Sequence, residues 1–239
     1  MQWTLVLLCA MLVGMAKTGL SGFGLMVVPI LANVFGGRAS VGLLLPILIF
    51  ADVFAVTWYN RHAEWKYVLR LIPWAIIGVL IGTFTGKLIS DVTFNRLLAG
   101  LVFFGVGLLV WQDLRSKKVT IPDYWWFSMV LGLLGGFATM IGNAAGPVMA
   151  LYLLSMRLPK NSYIGTGAWF FFIINLSKVP FHIFSWETIS KQSIVLDLMM
   201  IPAIAAGSFL GIYLVKLIPE KFYRIFIIIT IVLSAFLLF

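Results

Sequence analysis

Eight apolar runs separated by short polar breaks use up nearly the whole chain. They are Trp3–Phe35, Ser40–Tyr59, Tyr67–Ile89, Leu97–Trp111, Tyr124–Met156, Tyr163–Phe184, Ile194–Ile218 and Tyr223–Phe239. A helix that crosses the hydrocarbon core of a bilayer needs about 20 predominantly apolar residues. Composition points the same way: 62% of the residues are apolar and 10% are charged, against about 45–50% and 25% in soluble domains. Seventeen Lys and Arg, eight Asp and Glu and two His cannot coat a globule of 239 residues. A soluble enzyme, a disordered chain and a disulfide scaffold are therefore excluded. No stretch between runs is long enough for a soluble domain. The chain reads as one all-α polytopic membrane domain over residues 1–239, with the lipid bilayer as its first partner.

The net charge of +9 does not signal nucleic acid, because the basic residues are scattered over every connector and never run longer than Lys117-Lys118. An excess of Lys and Arg in short loops is what membrane orientation produces. The only cysteine, Cys9, lies in an apolar run and has no internal disulfide partner. No basic residue precedes the first run, so no cleaved signal peptide is expected and Met1 to Phe35 is taken as mature structure. There is no GxGxxG before a strand, no GxxxxGK[ST], no HExxH and no CxxC. No cofactor, metal site or enzyme activity is expected.

The longest polar connector, 112–123, lies near the middle of the chain, and the halves on either side match. Pro73, Gly78, Gly82 and Lys87 recur as Pro202, Gly207, Gly211 and Lys216, 129 residues later. Gly24 and Pro29 match Gly142 and Pro147 at an offset of 118, and Phe94 and Arg96 match Phe222 and Arg224 at 128. Val41-Gly42 matches Ile164-Gly165 at 123, which sets Asp52 opposite Asn175. Chance similarity of apolar sequence does not place Pro, Gly, Gly and Lys in one register, so repeats 1–111 and 124–239 are read as a duplication.

The first and fifth runs are too long to be simple crossings. Each has 33 residues, about 50 Å of helix at 1.5 Å per residue, against a core about 30 Å thick. Each carries a cluster of helix breakers, Lys17-Thr-Gly-Leu-Ser-Gly-Phe-Gly24 and Gly135 to Pro147. Each is therefore a long, tilted broken helix or a hairpin that leaves by the side it entered. Charge distribution separates the two. If all eight runs cross, the loop Lys and Arg divide 7 against 8; if the first and fifth are hairpins, they divide 4 against 11. The hairpin reading restores the positive-inside bias. It leaves three crossings per repeat, an odd number, so the repeats become inverted, with 112–123 as a cytoplasmic loop. Inverted repeats with broken helices at the midplane recur among transporters.

Three constellations can carry chemistry. The breaker clusters present half-helix N-termini, whose unpaired N–H groups and positive dipole end attract anions. Gly22, Gly24 and Gly142 permit close backbone approach, and Thr18, Ser21, Thr139 and Asn143 add short polar side chains. The bland alternative is close helix packing by small residues. Asn175, Lys178 and His182 share one face of the sixth run at i, i+3 and i+7. A lysine in mid-membrane is costly unless paired or wet, and marks function or snorkelling. Asp52, also in mid-run, can carry protons, hold a cation or neutralise Lys17 or Lys178. Asp52 and His182 are the candidates for proton or ion coupling. Trp58, Tyr59, Trp65, Tyr67, Trp111, Tyr124, Trp125, Trp126 and Trp186 sit at run ends and read as interfacial anchors.

These residues together resemble the sulfite exporter TauE/SafE family over nearly the whole chain. The resemblance rests on Gly19-Leu-Ser-Gly-Phe-Gly24 with Val28-Pro29, on Gly142-Asn-Ala-Ala-Gly146-Pro147, and most specifically on Lys160-Asn-Ser-Tyr-Ile-Gly165-Thr166 through Asn175-Leu-Ser-Lys178. The openings depart from the three successive glycines usual in the family. The resemblance implies export of sulfite, an organosulfonate or another small anion from the cytoplasm across a bacterial inner membrane. With no nucleotide motif, transport is expected to be secondary, by alternating access. An anion-selective channel or uniporter, or a carrier for a different small oxyanion, is the alternative. The expected substrate contacts are Lys17, Thr18, Ser21, Gly22, Gly24, Thr139, Gly142, Asn143, Asn175 and Lys178. A homo-oligomer is compatible with all of this.

The hairpin reading predicts that both termini face outward. A tag at the C-terminus should be reached from the periplasmic face by an impermeant reagent; a tag reached only from the cytoplasm would refute that topology.

Overall fold

The computed structural model describes residues 2–90, 92–93, 96–97, 100, 103–104, 107 and 124–236. Among these the chain is helical with no strand. The first run is split into α1 (Gln2–Lys17) and α2 (Phe23–Phe35). Then come α3 (Gly37–Tyr59), a single 3-10 turn over Asn60–His62, and α4 (Trp65–Leu88). The described positions between 92 and 107 are helical. The fifth run is split into α5 (Trp125–Gly142) and α6 (Gly146–Ser155), and α7 (Lys160–Phe184) follows. The last part holds α8 (Lys191–Met199), α9 (Ile201–Leu217) and α10 (Glu220–Phe236). Most of the fourth run and the whole connector 112–123 lie outside the described residues.

Both long runs break where the glycine clusters stand. Lys17 ends α1, and the chain passes through Gly19 at φ +130° before α2 begins. An added Cβ at Gly19 would lie 2.6 Å from Val215 Cγ2, so backbone angle and space both call for glycine there. α5 ends on Asn143 at φ 53°, in the left-handed conformation, with its N–H bonded back to Thr139 O and the next N–H, of Ala144, bonded to Ala138 O. Asn is among the few residues that accept this conformation.

Among the described residues four helices, α3, α4, α5 and α7, are long and apolar enough to cross a membrane. The pair α8–α9, bent by 43°, makes a fifth if it is counted as one broken span. The sequence reads that pair as one straight run. The bend falls at Met200, whose N–H bonds back to Asp197, and Pro202 then opens α9. Proline is suited to the first turn of a helix and cannot continue the preceding one.

Two glycine seams hold the bundle together, and each joins one half of the chain to the other. α1 packs on α9 and α5 packs on α4. A Cβ on Gly207 would lie 2.0 Å from the carbonyl oxygen of Met11, and one on Gly14 would lie 2.3 Å from that of Ile204. In the other seam a Cβ on Gly136 would lie 2.0 Å from the Ala75 oxygen, and one on Gly78 would lie 2.2 Å from the Leu133 oxygen. Backbones approach this closely only without side chains between them, the means by which helices associate where lipid removes the hydrophobic drive.

The matched pairs Gly78/Gly207 and Gly82/Gly211 occupy corresponding places. Gly207 meets Met11 where Gly78 meets Leu133, and Gly211 meets Met15 where Gly82 meets Phe137. The helices facing them therefore correspond at an offset of 122. That offset also pairs Gly24 with Gly146, each at the start of a second half-helix, whereas Gly142 ends the first. The offset of 118 read from the sequence is one helical turn away.

Alanine at Gly136 or Gly207 should lower stability by about 1–3 kcal/mol through overpacking. Gly100, with nothing within 4 Å of an added Cβ, should tolerate the same change. Melting temperatures in detergent measure the difference.

Candidate membrane-embedded anion site

The two broken runs, α3 and α7 enclose a cavity of about 90 Å³. One water needs about 10–15 Å³ on such a measure, so there is room for a small polyatomic ion. The first break contributes Lys17, Ser21 and Gly24, and the second contributes Thr139, Asn143 and Gly146. α7 adds Asn175 and Phe171, and α3 adds the apolar Leu44 and Leu48. Gly24 and Gly146 stand in the first turns of α2 and α6, so the N-terminal ends of both second half-helices reach the same space.

An ion-pair chain runs along one wall. Lys17 Nζ lies 2.8 Å from Asp52 Oδ1, and Asn175 Nδ2 donates to Asp52 Oδ2 at 2.6 Å. Asp52 is fully buried. The contact between Asp52 and Asn175 joins positions that the internal match at offset 123 sets opposite one another. Lys17 Nζ also sits 4.1 Å from the centre of the Phe171 ring, a cation–π contact of the kind that favours an ammonium group.

Lys178 is held differently. Its Nζ donates to Thr139 O at 3.1 Å, Thr139 Oγ1 at 2.9 Å and Asn143 Oδ1 at 2.6 Å. All three donor positions of an ammonium group are thereby used. Among the described residues no carboxylate forms a salt bridge with it. Lys178 stands behind the cavity wall, and Thr139 and Asn143 are its front. Asn143 also donates through Nδ2 to Val41 O at 3.2 Å, which ties the second break to α3. Counted at their ordinary charges, Lys17, Lys178 and Asp52 leave one net positive charge beside the cavity.

Of the residues expected from sequence, Lys17, Ser21, Gly24, Thr139, Asn143 and Asn175 line this cavity. Thr18 turns away, and its Oγ1 donates to Gly14 O and, across the seam, to Ser208 O at 3.1 Å. Gly22 packs on Thr230, and Gly142 is buried at the end of α5. His182 is buried apart from the cavity, sharing a 2.7 Å hydrogen bond with Thr188 and an edge contact with Trp186. Two of the aromatic residues read as interfacial anchors turn inward: Tyr59 OH donates to Thr18 O at 3.3 Å, and Trp186 Nε1 donates to Thr83 O at 3.0 Å. Sequence reasoning passed over Tyr163 and Tyr223. Tyr163 lines the cavity, and Tyr223 OH donates to Gly19 O at 2.7 Å. Their signal in the sequence, a tyrosine at the start of an apolar run, is shared by every interfacial tyrosine.

Asp52→Asn should strand the Lys17 charge and cost about 3–5 kcal/mol, the usual penalty for breaking a buried pair from one side. Lys17→Met with Asp52→Asn should cost less than the two single changes added together. Denaturation of the purified variants in one detergent measures the coupling.

The chain matches the family model of the sulfite exporter TauE/SafE family over residues 6–238, and it belongs to that family. No curated protein and no solved structure matches it. Membership makes the chain a multi-pass membrane protein of a transporter family whose substrates are sulfite- and sulfonate-type anions.

Proposed function

From membership of the sulfite exporter TauE/SafE family we propose that this chain is a secondary transporter exporting a small anion from the cytoplasm. The substrate is sulfite or an organosulfonate, and the mechanism is alternating access around the central cavity. The observation that carries the reading is the convergence on one cavity of two half-helix N-termini and one excess positive charge. Helix N-termini and fixed cations stabilise an anion taken from water.

The residues divide by role. Lys17 is the charged contact, because it lines the cavity and its partner Asp52 can give way in part to substrate. Ser21, Thr139, Asn143 and Asn175 supply hydrogen bonds, and Gly24 and Gly146 leave the half-helix amides open to approach. Thr18, Gly22 and Gly142 shape the breaks. Lys178 acts through Thr139 and Asn143, holding the second break in place while its charge reaches the cavity. Asp52 and His182 are the titratable groups proposed for coupling if a proton moves with the anion.

The two halves work as inverted repeats, 1–111 and 124–239, each a broken hairpin followed by three crossings. The seams α1–α9 and α4–α5 support this, because corresponding glycines make corresponding contacts in the two halves. In a bacterial inner membrane the inside-negative potential drives a monoanion outward by about 2.3 kcal/mol per 100 mV. Export therefore needs no nucleotide.

Sulfite flux in proteoliposomes tests the reading. The wild type should show saturable flux, and Lys178→Met should lose at least about 90% of it, the scale expected when a buried charged contact is removed, while keeping its monodisperse detergent profile. Flux unchanged in that variant would remove Lys178 from the mechanism. Non-saturating flux would make the protein a channel.

A further inference from the structure

A second cavity, of about 180 Å³, lies beyond the tyrosines and contains Arg157, Glu220 and Arg224. Tyr163 lines this cavity and the central one, so its ring stands between them. Tyr223 lines the outer cavity and meets Tyr163 edge to face, with ring centres 5.8 Å apart at 81°. Both tyrosines are buried. The barrier is latched to the first break, because Tyr223 OH donates to Gly19 O at 2.7 Å and Gly19 lines the central cavity. Gly19 sits at φ +130° in the five-residue turn that follows Lys17. Any rearrangement of that turn moves the carbonyl that holds Tyr223.

We propose that the outer cavity is an anion-recruiting subsite and that the Tyr163–Tyr223 pair is the gate between it and the central site. Two guanidinium groups and a single carboxylate line it, a formal count of one net positive charge. Glu220 is itself engaged, its Oε1 accepting the backbone N–H of Lys160 at the start of α7. Guanidinium forks suit sulfite, sulfonate and other oxyanions, whose oxygens can take two parallel hydrogen bonds. By the charge distribution of the loops this end faces the cytoplasm, where an exported anion is collected. The subsite rests on the transport reading; the gate does not.

The latch gives the gate a trigger. An anion that draws Lys17 from Asp52 shifts the end of α1, and the next turn of chain carries the Gly19 carbonyl. The gate then loosens or seals according to occupancy, as alternating access requires.

The test replaces Cys9 with Ala and Met149, which lines the central cavity, with Cys. The thiol is then reacted with an anionic, membrane-impermeant thiosulfonate in vesicles of each orientation. Tyr163→Ala should speed labelling about tenfold, within the range that access and steering confer, and only from the face bearing Arg157 and Arg224. Tyr223→Phe, which loses one oxygen and keeps the ring, should speed it several-fold from that face. Unchanged rates in both variants, or equal acceleration from both faces, would overturn the gate. In the Tyr163→Ala background, Arg157→Gln with Arg224→Gln should slow the anionic reagent and leave a cationic one unslowed. Equal effects on the two reagents would overturn the subsite. Labelling needs no substrate, so it still reads the gate if sulfite proves not to be carried. A raised KM for sulfite in the double arginine variant, with kcat retained, ties the subsite to transport.

Discussion

The rest of the architecture depends on keeping two ammonium groups inside a membrane domain. Each would cost several kcal/mol if left bare. Lys17 is neutralised by Asp52, whose second oxygen is occupied by Asn175. Lys178 has no such counter-ion among the described residues and is solvated by three oxygens of the second break. The asymmetry has an electrostatic consequence. A charge held by dipoles alone keeps a long-range field that an ion pair would cancel, and that field falls on the cavity in front of Thr139 and Asn143. The breaks and the lysines are one device, because the chain end released when α5 stops is what solvates Lys178.

A site of this kind needs a rigid frame, and the glycine seams supply it. Carbonyl oxygens of one helix lie where a Cβ of the next would be. The first half of each broken run is therefore fixed to a helix from the other half of the chain. The second half-helices begin beyond the break; α2 shares α3 with α1 but also packs on α10. The boundary between rigid frame and remaining parts thus runs through the two breaks, where the cavity lies. Motion there changes the site directly, whereas motion elsewhere must first deform a seam.

Much of this was legible in the sequence, for physical reasons. Run length exposed the two broken spans, because 33 residues exceed what a bilayer accommodates as one crossing, and the glycine clusters marked the breaks. Lys17 was one of two cations the sequence offered to Asp52, but the contact of Asp52 with Asn175 was not foreseen, since matched positions need not touch. The seam glycines were visible as matched positions, but not what they touched, since small residues carry no signal for their partner. The register across the breaks went one turn astray because Gly24 and Gly142 match in type while standing on opposite sides of a break. The bend at Met200 was hidden by an unbroken apolar run, although Pro202 stood at its edge. The placement of Lys178 behind the wall was out of reach, since helical spacing gives a face and not a depth. His182 shares that face and still lies outside the cavity, one turn further along.

The charge count beside the cavity bears on which anions the proposed transporter prefers. With Asp52 ionised, the site offers one net positive charge, which a monoanion neutralises and a dianion exceeds. An excess negative charge in a dry cavity carries the penalty of any unpaired buried charge. The preference therefore runs toward bisulfite and organosulfonates and against sulfate, although all present similar oxygens. Protonation of Asp52 would raise the net charge by one and admit a dianion, so one carboxylate can serve both selectivity and proton coupling. In that arrangement the proton and the second negative charge travel together, and the complex that crosses has the same net charge in either case. The membrane potential then acts on both kinds of substrate alike, and the difference between them is set by pH.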